Sequence, residues 1–371
     1  MPVVSSLVLS ALMLAGPVGP IPFAVASADG TVVHGQADRP DQTVAGVVVM
    51  VAGTGPFDRD VRFSEQPDVP PVFLDLAERL TARGVAVVRY DKRGVRYGAS
   101  GADRIDAAEI LTATTDAQRD DLAAVYDRAR LEPGLGGRCI VLFGHSEGMV
   151  HIGRLAASGA AAPTAVFGMG ALLTDPVSNF RWNLAARDPY SLRLLDADGD
   201  GITTNAEVRA NIAVTPAAVN GTLDPYLHPS GAWTAADIAA IEQVWVSAYP
   251  AIRDATLAMA DDAPWPSAEQ PLGVWQWAKS WYLDETPVAA NLARWNVPVT
   301  VHLGDRDSQT HAPLQLAAGR AALGERLTVH LHAGVGHTLG TSPTYGPVDS
   351  ALADQMADEM ATTLRSCAEG G

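Results

Sequence analysis

The chain has 371 residues, 47% of them hydrophobic and 18% charged, with 26 Lys and Arg against 42 Asp and Glu. A chain of this length buries a full core without disulfides or metals, and its composition excludes collagen, low-complexity disorder and a small disulfide scaffold. The net charge of −16, with lysine only at Lys92 and Lys279, excludes the basic surface that nucleic acid or an anionic membrane requires.

Residues Val3 to Ala15 form an apolar run ahead of Gly16-Pro17, and Ala24-Val25-Ala26 has the small residues of a cleavage site. No Lys or Arg precedes the run. Residues 1–22 are therefore read as an N-terminal arm or a signal segment, which fits a cytoplasmic or an exported chain. The run is shorter than the ~20 apolar residues of a spanning helix, and no other stretch predicts a membrane span.

From Phe23 to Ala26, and again from Thr31 to Gly35 across Asp29-Gly30, the pattern predicts a β-hairpin. The continuous apolar run Val44–Ala52 predicts a buried strand, and Val85–Tyr90, Cys139–Phe143 and Thr164–Met169 read as further strands. Helical spacing falls between them, over 70–83, Asp116–Arg130 and onward from Gly148 to about Ala157. Such alternation implies right-handed crossovers and a mostly parallel sheet. It stops from Leu172 to Asn296. It resumes with strands Val297–Leu303 and Leu327–His332, a helix near 312–323 and a last helix from Val348 to Leu364. The expected organisation is one α/β core in two parts, 23–171 and 297–371, split by an insertion over 172–296. That insertion holds all eight tryptophans, read mostly as its own core. Cys139, opening an apolar strand, is read as a buried thiol.

Gly144-His145-Ser146-Glu147-Gly148 is a G-x-S-x-G between a predicted strand and a predicted helix. A sharp strand-to-helix turn demands small residues on both sides of the serine, and the helix N-terminus behind it favours negative charge. A serine hydroxyl needs a base, and the base needs an orienting acid. His337, in a Gly-rich loop after the last strand, is the expected base. His330 and His332 alternate with apolar residues and read as structural or surface strand histidines. Asp305 and Asp307 both follow the strand ending at Leu303. Asp307 is favoured because it lies beyond the strand end with room to reach a histidine, leaving Asp305 to cap a turn. For a developing oxyanion, the expected donors are the backbone amides of Glu147 and Thr54, with Gly55 the alternative to Thr54.

Three motifs in order, Gly53-Thr54-Gly55-Pro56-Phe57-Asp58-Arg59-Asp60, Arg89-Tyr90-Asp91-Lys92-Arg93-Gly94 and Gly144-His145-Ser146-Glu147-Gly148, resemble the α/β-hydrolase superfamily. Within it they look most like bacterial esterases and serine-aminopeptidase-like hydrolases. The resemblance spans about 25–170 and 297–365. It implies an α/β-hydrolase fold with an eight-stranded core, a largely helical lid after the sixth strand, and hydrolysis of a small-molecule ester. It gives Ser146, Asp307 and His337 the triad roles and makes the Lys92-Arg93 loop structural. Arg96-Tyr97-Gly98 departs from the family pattern, in which a small residue and Gly often follow.

Inside the insertion, Asp196, Asp198 and Asp200 with Gly201 and Glu207 have the spacing of positions 1, 3, 5, 6 and 12 of an EF-hand loop. Ile202 would add its carbonyl, and Thr204 would act directly or through water. Thr203 stands at position 8, where an apolar residue normally pairs with a second loop, and no second such loop is visible in the sequence. The expectation is a structural calcium, with no cofactor required for catalysis. The reading that results is a serine esterase. Its alternatives are an aminopeptidase or acyl-peptide hydrolase, and a non-catalytic calcium- or ligand-binding module on the same fold.

Overall fold

The computed structural model of this protein describes residues 20–41, 43–62, 69–99, 101–212, 226–261, 263, 275–340 and 347–370. Residues 1–19, which carry most of the predicted arm or signal segment, lie outside the described residues, as does Trp265.

The expected hairpin forms from β1 (Ile21–Ala26) and β2 (Val32–Asp38), with Gly30 at φ +88° in its turn. There follow β3 (Val47–Val51), α1 (Val72–Ala82), β4 (Ala86–Tyr90), α2 (Ala107–Ile110), α3 (Thr115–Leu131), β5 (Ile140–His145), α4 (Gly148–Ala157) and β6 (Ala165–Met169). The segment between β6 and the next sheet strand contains α5 (Pro176–Ala185), α6 (Arg187–Leu195), β7 (Ile202–Thr204), α7 (Asn205–Ile212), β8 (Ala232–Thr234), α8 (Ala235–Ala258), α9 (Trp275–Tyr282) and α10 (Val288–Leu292). The chain closes with β9 (Val299–Gly304), α11 (Ala312–Leu323), β10 (Leu327–His332) and α12 (Ser350–Gly370).

Eight strands form one sheet in the order β1-β2-β4-β3-β5-β6-β9-β10. β2 runs antiparallel to both its neighbours, and every other pair is parallel. The apolar runs have a simple cause. Alternate residues of a strand face opposite sides of a sheet, and here both sides are covered. In β3, Val47, Val49 and Val51 join the core beneath α3, α4 and α10. Val48 and Met50 join the core beneath α1 and α12, with Phe73, Leu80 and Met360. A third, smaller cluster (Leu192, Leu195, Val208, Tyr226, Trp233 and Ile238) sits within the 172–296 segment.

Tryptophan use differs from the expectation. Among the described residues only Trp233 belongs to that smaller cluster, whereas Trp281 and Trp295 are buried in the main core. Trp295 donates to the Ala160 carbonyl at 2.9 Å and Trp182 to that of Ser308 at 2.8 Å. The indoles thus fasten the segment to the sheet domain.

Cys139 is not a thiol. It forms a disulfide with Cys367, 228 residues away, because α12 crosses the sheet face and brings its C-terminal end to the start of β5. Closing so long a loop restricts the unfolded chain, which is worth about 2–5 kcal/mol. The double variant Cys139→Ala/Cys367→Ala is expected to lose that much in urea unfolding, and reductant should lower the midpoint of the wild type but not of the variant.

Candidate active site

The elbow after β5 has the geometry its sequence implies. Ser146 adopts φ 53°, a left-handed conformation that non-glycine residues rarely hold, and its N–H donates to the Met169 carbonyl at 3.1 Å. Gly148 packs so tightly that any Cβ there would collide with the Val51 carbonyl, so glycine lets α4 approach β3. On the other side of the elbow, a Cβ on Gly53 would lie 3.0 Å from Ser146 Cβ and 2.8 Å from His145 Nδ1. The Gly53-Thr54 loop therefore lies directly against the serine. Lys92 Nζ donates to the Gly53 carbonyl at 2.7 Å. That peptide is trans, so the N–H of Thr54 points away from Lys92.

The loops after β9 and β10 bring Asp307 and His337 together. Asp307 Oδ2 lies 2.9 Å from His337 Nδ1, and each residue is only 1% exposed. The carboxylate is saturated with donors: Oδ1 accepts from the Gln309 and Thr310 amides at 2.8 and 2.9 Å, and the Thr310 hydroxyl is 2.6 Å from Oδ2. A carboxylate at Nδ1 fixes the imidazole as a donor there and leaves Nε2 as the basic nitrogen. The His337 ring lies 5.0 Å from that of His145, so it reaches the elbow. Burial holds His145 well below the usual histidine range, the nearby His337 and Lys92 acting in the same direction. Asp305 does something else. Its carboxylate accepts from the Gly334 amide at 2.8 Å and so ties the strand end to the loop that carries His337.

The side chain of Glu147 is a feature that the sequence reading used only for its amide. It is fully buried (0% exposed) yet charged. Trp277 and Trp281 donate to its Oε1 at 2.6 and 3.0 Å, and Lys92 Nζ lies 3.3 Å from Oε2. Burial alone would raise its pKa, but Lys92, His151 and the two indoles together pull it down to about 2. Trp277 and Trp281 are four apart on α9, so one helix face presents both indoles. The spacing of these tryptophans was visible in the sequence; the carboxylate they meet was not.

The charged residues of the two upstream motifs are largely consumed in holding the loops beside the elbow. Arg59 pairs with Asp91 at 2.5 Å, Arg89 with Asp38 at 2.8 Å and with Asp60, and Arg93 with Asp121 at 2.6 Å and with Asp29. Tyr97, at the departure from the family pattern, stacks under Arg59 at 4.3 Å and donates to Asp60 at 3.2 Å.

In the 196–207 loop, ligand atoms of Asp196, Asp198 and Glu207 come within 4.8 Å of one another. Asp200 Oδ1 instead accepts from the Ile202 amide at 2.7 Å, and the Thr204 hydroxyl lies 2.8 Å from Glu207 Oε2. The segment that faces this loop is 226–237. β7 pairs antiparallel with β8, and Thr203 sits opposite Trp233. Counting from Tyr226, Gly231 is the sixth residue, Trp233 the eighth and Asp237 the twelfth. The first, third and fifth residues of that count are Tyr226, His228 and Ser230, so the segment does not carry the EF-hand ligand spacing, as expected from the sequence. Asp237 serves as half of a capping box with Thr234 at the start of α8.

Replacing Glu147 by Ala leaves Lys92 without its counter-charge and two indoles without their acceptor, which should cost about 3–5 kcal/mol in urea unfolding. The Glu147 carboxyl titrates near 2 when folded, against an ordinary 4.5. Its stabilising contribution is therefore complete above about pH 4.5 and lost as pH falls through 2. The gap between wild type and Glu147→Gln in unfolding midpoint should shrink across that window.

In comparison with solved structures, the chain is similar to a carboxyl esterase from Bacillus coagulans (TM-score 0.54, 14% identity, covering 95% of this chain and all of that one). It is similar also to proline iminopeptidase from Mycobacterium smegmatis (0.51, 15%, 93% and 99%) and to an alpha/beta hydrolase from a Penicillium species (0.50, 15%, 95% and 99%). No protein-family model and no curated protein matches the sequence. The chain has the fold of the α/β-hydrolases.

Proposed function

We propose that this protein is a serine hydrolase that cleaves small carboxylic esters through an acyl-enzyme. The observation that carries the reading is the buried Asp307–His337 hydrogen bond of 2.9 Å, made by strand-end loops that bring the imidazole to the strained Ser146 elbow. In this mechanism His337 Nε2 takes the Ser146 proton as Oγ attacks the acyl carbon. It returns the proton to the leaving alcohol, then activates water for deacylation. Asp307 holds the tautomer and stabilises the imidazolium. The amides of Glu147 and Thr54 stabilise the oxyanion, the second aimed by the Lys92–Gly53 contact. The helices over 172–296 act as a lid, tethered to the elbow through Trp277, Trp281 and Glu147.

We also propose a structural calcium in the 196–207 loop. The donor set fits a hard cation, because the carboxylates of Asp196, Asp198 and Glu207 converge and the Asp196 carboxylate already accepts from the Gly199 and Gly201 amides. Asp196, Asp198, Asp200 and Glu207 would supply carboxylates, with Ile202 and Thr204 completing the shell. The ion would stiffen the lid and take no part in bond cleavage. The disulfide fits residence in an oxidising compartment, which favours an exported protein.

Ser146→Ala should abolish p-nitrophenyl ester turnover and fluorophosphonate labelling without lowering the melting temperature, and Asp307→Asn should reduce kcat about 10³–10⁴-fold. Ester turnover by Ser146→Ala would overturn the mechanism, and turnover of aminoacyl amides in place of esters would replace the esterase reading with an aminopeptidase one. Chelation of calcium should lower the melting temperature of the wild type but not of Asp196→Asn/Glu207→Gln. An unchanged wild-type melt, with no heat on titrating calcium, would remove the ion from the account.

A further inference from the structure

Away from the elbow, on the face of the sheet covered by α12, three histidines and a glutamate converge. His302 of β9 stands opposite His330 of β10 in the parallel register, and His332 follows two residues on, on the same face. Their rings stack, with His302 4.6 Å from His330 and 5.3 Å from His332 between centroids. From α12, Glu359 Oε2 comes to 3.2 Å from His302 Nε2 and 3.3 Å from His330 Nε2. We infer that His302, His330 and Glu359 form a binding site for zinc or a similar first-row divalent ion, joining β9, β10 and α12.

Four features support the assignment. The donors are two imidazole nitrogens and a carboxylate oxygen, the ligand types zinc takes, and one atom of each lies within 4.8 Å of the others. Bonds of about 2.0–2.2 Å in tetrahedral geometry separate ligand atoms by roughly 3.3–3.6 Å, close to the two separations from Glu359 Oε2. The outer atoms of two ligands are already held. His302 Nδ1 lies 3.1 Å from His332 Nε2, and Glu359 Oε1 accepts from Gln355 Nε2 at 2.8 Å. Such second partners orient a ligand and fix its tautomer. Finally, His302 is 1% exposed while the side chains of His330 and Glu359 are 30% and 28% exposed, which gives an anchored ligand and an open side for entry and a water. One carboxylate beside three imidazoles is a poor ion-pair design, whereas a dication satisfies all of them at once.

The site lies outside the catalytic machinery, and the inference does not depend on the proposed reaction. Its consequence is mechanical: the strands that the ion would clasp to α12 run on into the loops of Asp307 and His337.

The test uses the full chain without a histidine tag, stripped with chelator and then kept in excess calcium so that oxygen-donor loops are filled. Zinc titrated by calorimetry should bind at one equivalent and raise the melting temperature. Glu359→Gln and His330→Ala, both partly exposed, should each weaken binding about tenfold or more, and His332→Ala about 10–100-fold. Cobalt(II) in place of zinc should give the visible absorption of a tetrahedral site, lost in the same variants. Asp196→Asn should bind zinc like the wild type. Absence of saturable zinc binding, or binding untouched in a folded His330→Ala/Glu359→Gln double variant, overturns the inference.

Discussion

Burying the carboxylate of Glu147 removes it from water entirely, a cost that only a counter-charge and hydrogen bonds can offset. The groups that meet here come from three places. Lys92 lies in the loop after β4, Trp277 and Trp281 lie on α9, and Glu147 itself is the residue after the elbow serine. The same ammonium holds the carbonyl of Gly53. One desolvated ion pair therefore sets the loop after β3, the turn after β5 and the helices above them in a single arrangement. None of the three can shift without stranding a charge. A low-dielectric surrounding makes this constraint strong, since the ion pair is poorly screened there.

The sheet was legible in the sequence for a physical reason. Strands covered on both faces are mostly apolar at successive positions, so Val47–Val51 and Ala86–Val88 announce themselves without periodicity. The elbow was legible too, because its glycines answer a steric demand that few other contexts make. The buried partnership of Glu147 was not. A lone acid in a tight turn looks like any exposed acid until the helix that covers it is placed. Nor was the Cys139–Cys367 bond, because nothing local relates residues 228 apart. His330 and His332 show in sequence that they share a face, but the residues facing them, His302 and Glu359, come from another strand and from α12.

The segment that faces the 196–207 loop teaches a related lesson. It has a glycine at its sixth residue and a short strand that runs into a helix cap, although Tyr226, His228 and Ser230 stand where an EF-hand loop would place acids. Strand pairing with β7 rests on the backbone and on the packing of Trp233. Thr203, odd as a pairing residue on its own, makes sense opposite so large an indole: its hydroxyl turns to the Leu192 carbonyl at 2.8 Å, and the tryptophan supplies the apolar area.

The disulfide joins residues that lie on opposite sides of the inserted segment, one before it and one after. The two lengths of chain that build the sheet domain are therefore connected twice, once through the backbone of the helices and once through sulfur. A single peptide cleavage anywhere within 172–296 would leave one covalent molecule, its two halves still held at β5 and α12. A nick in the helices of that segment would not release the strands that lead to Asp307 and His337.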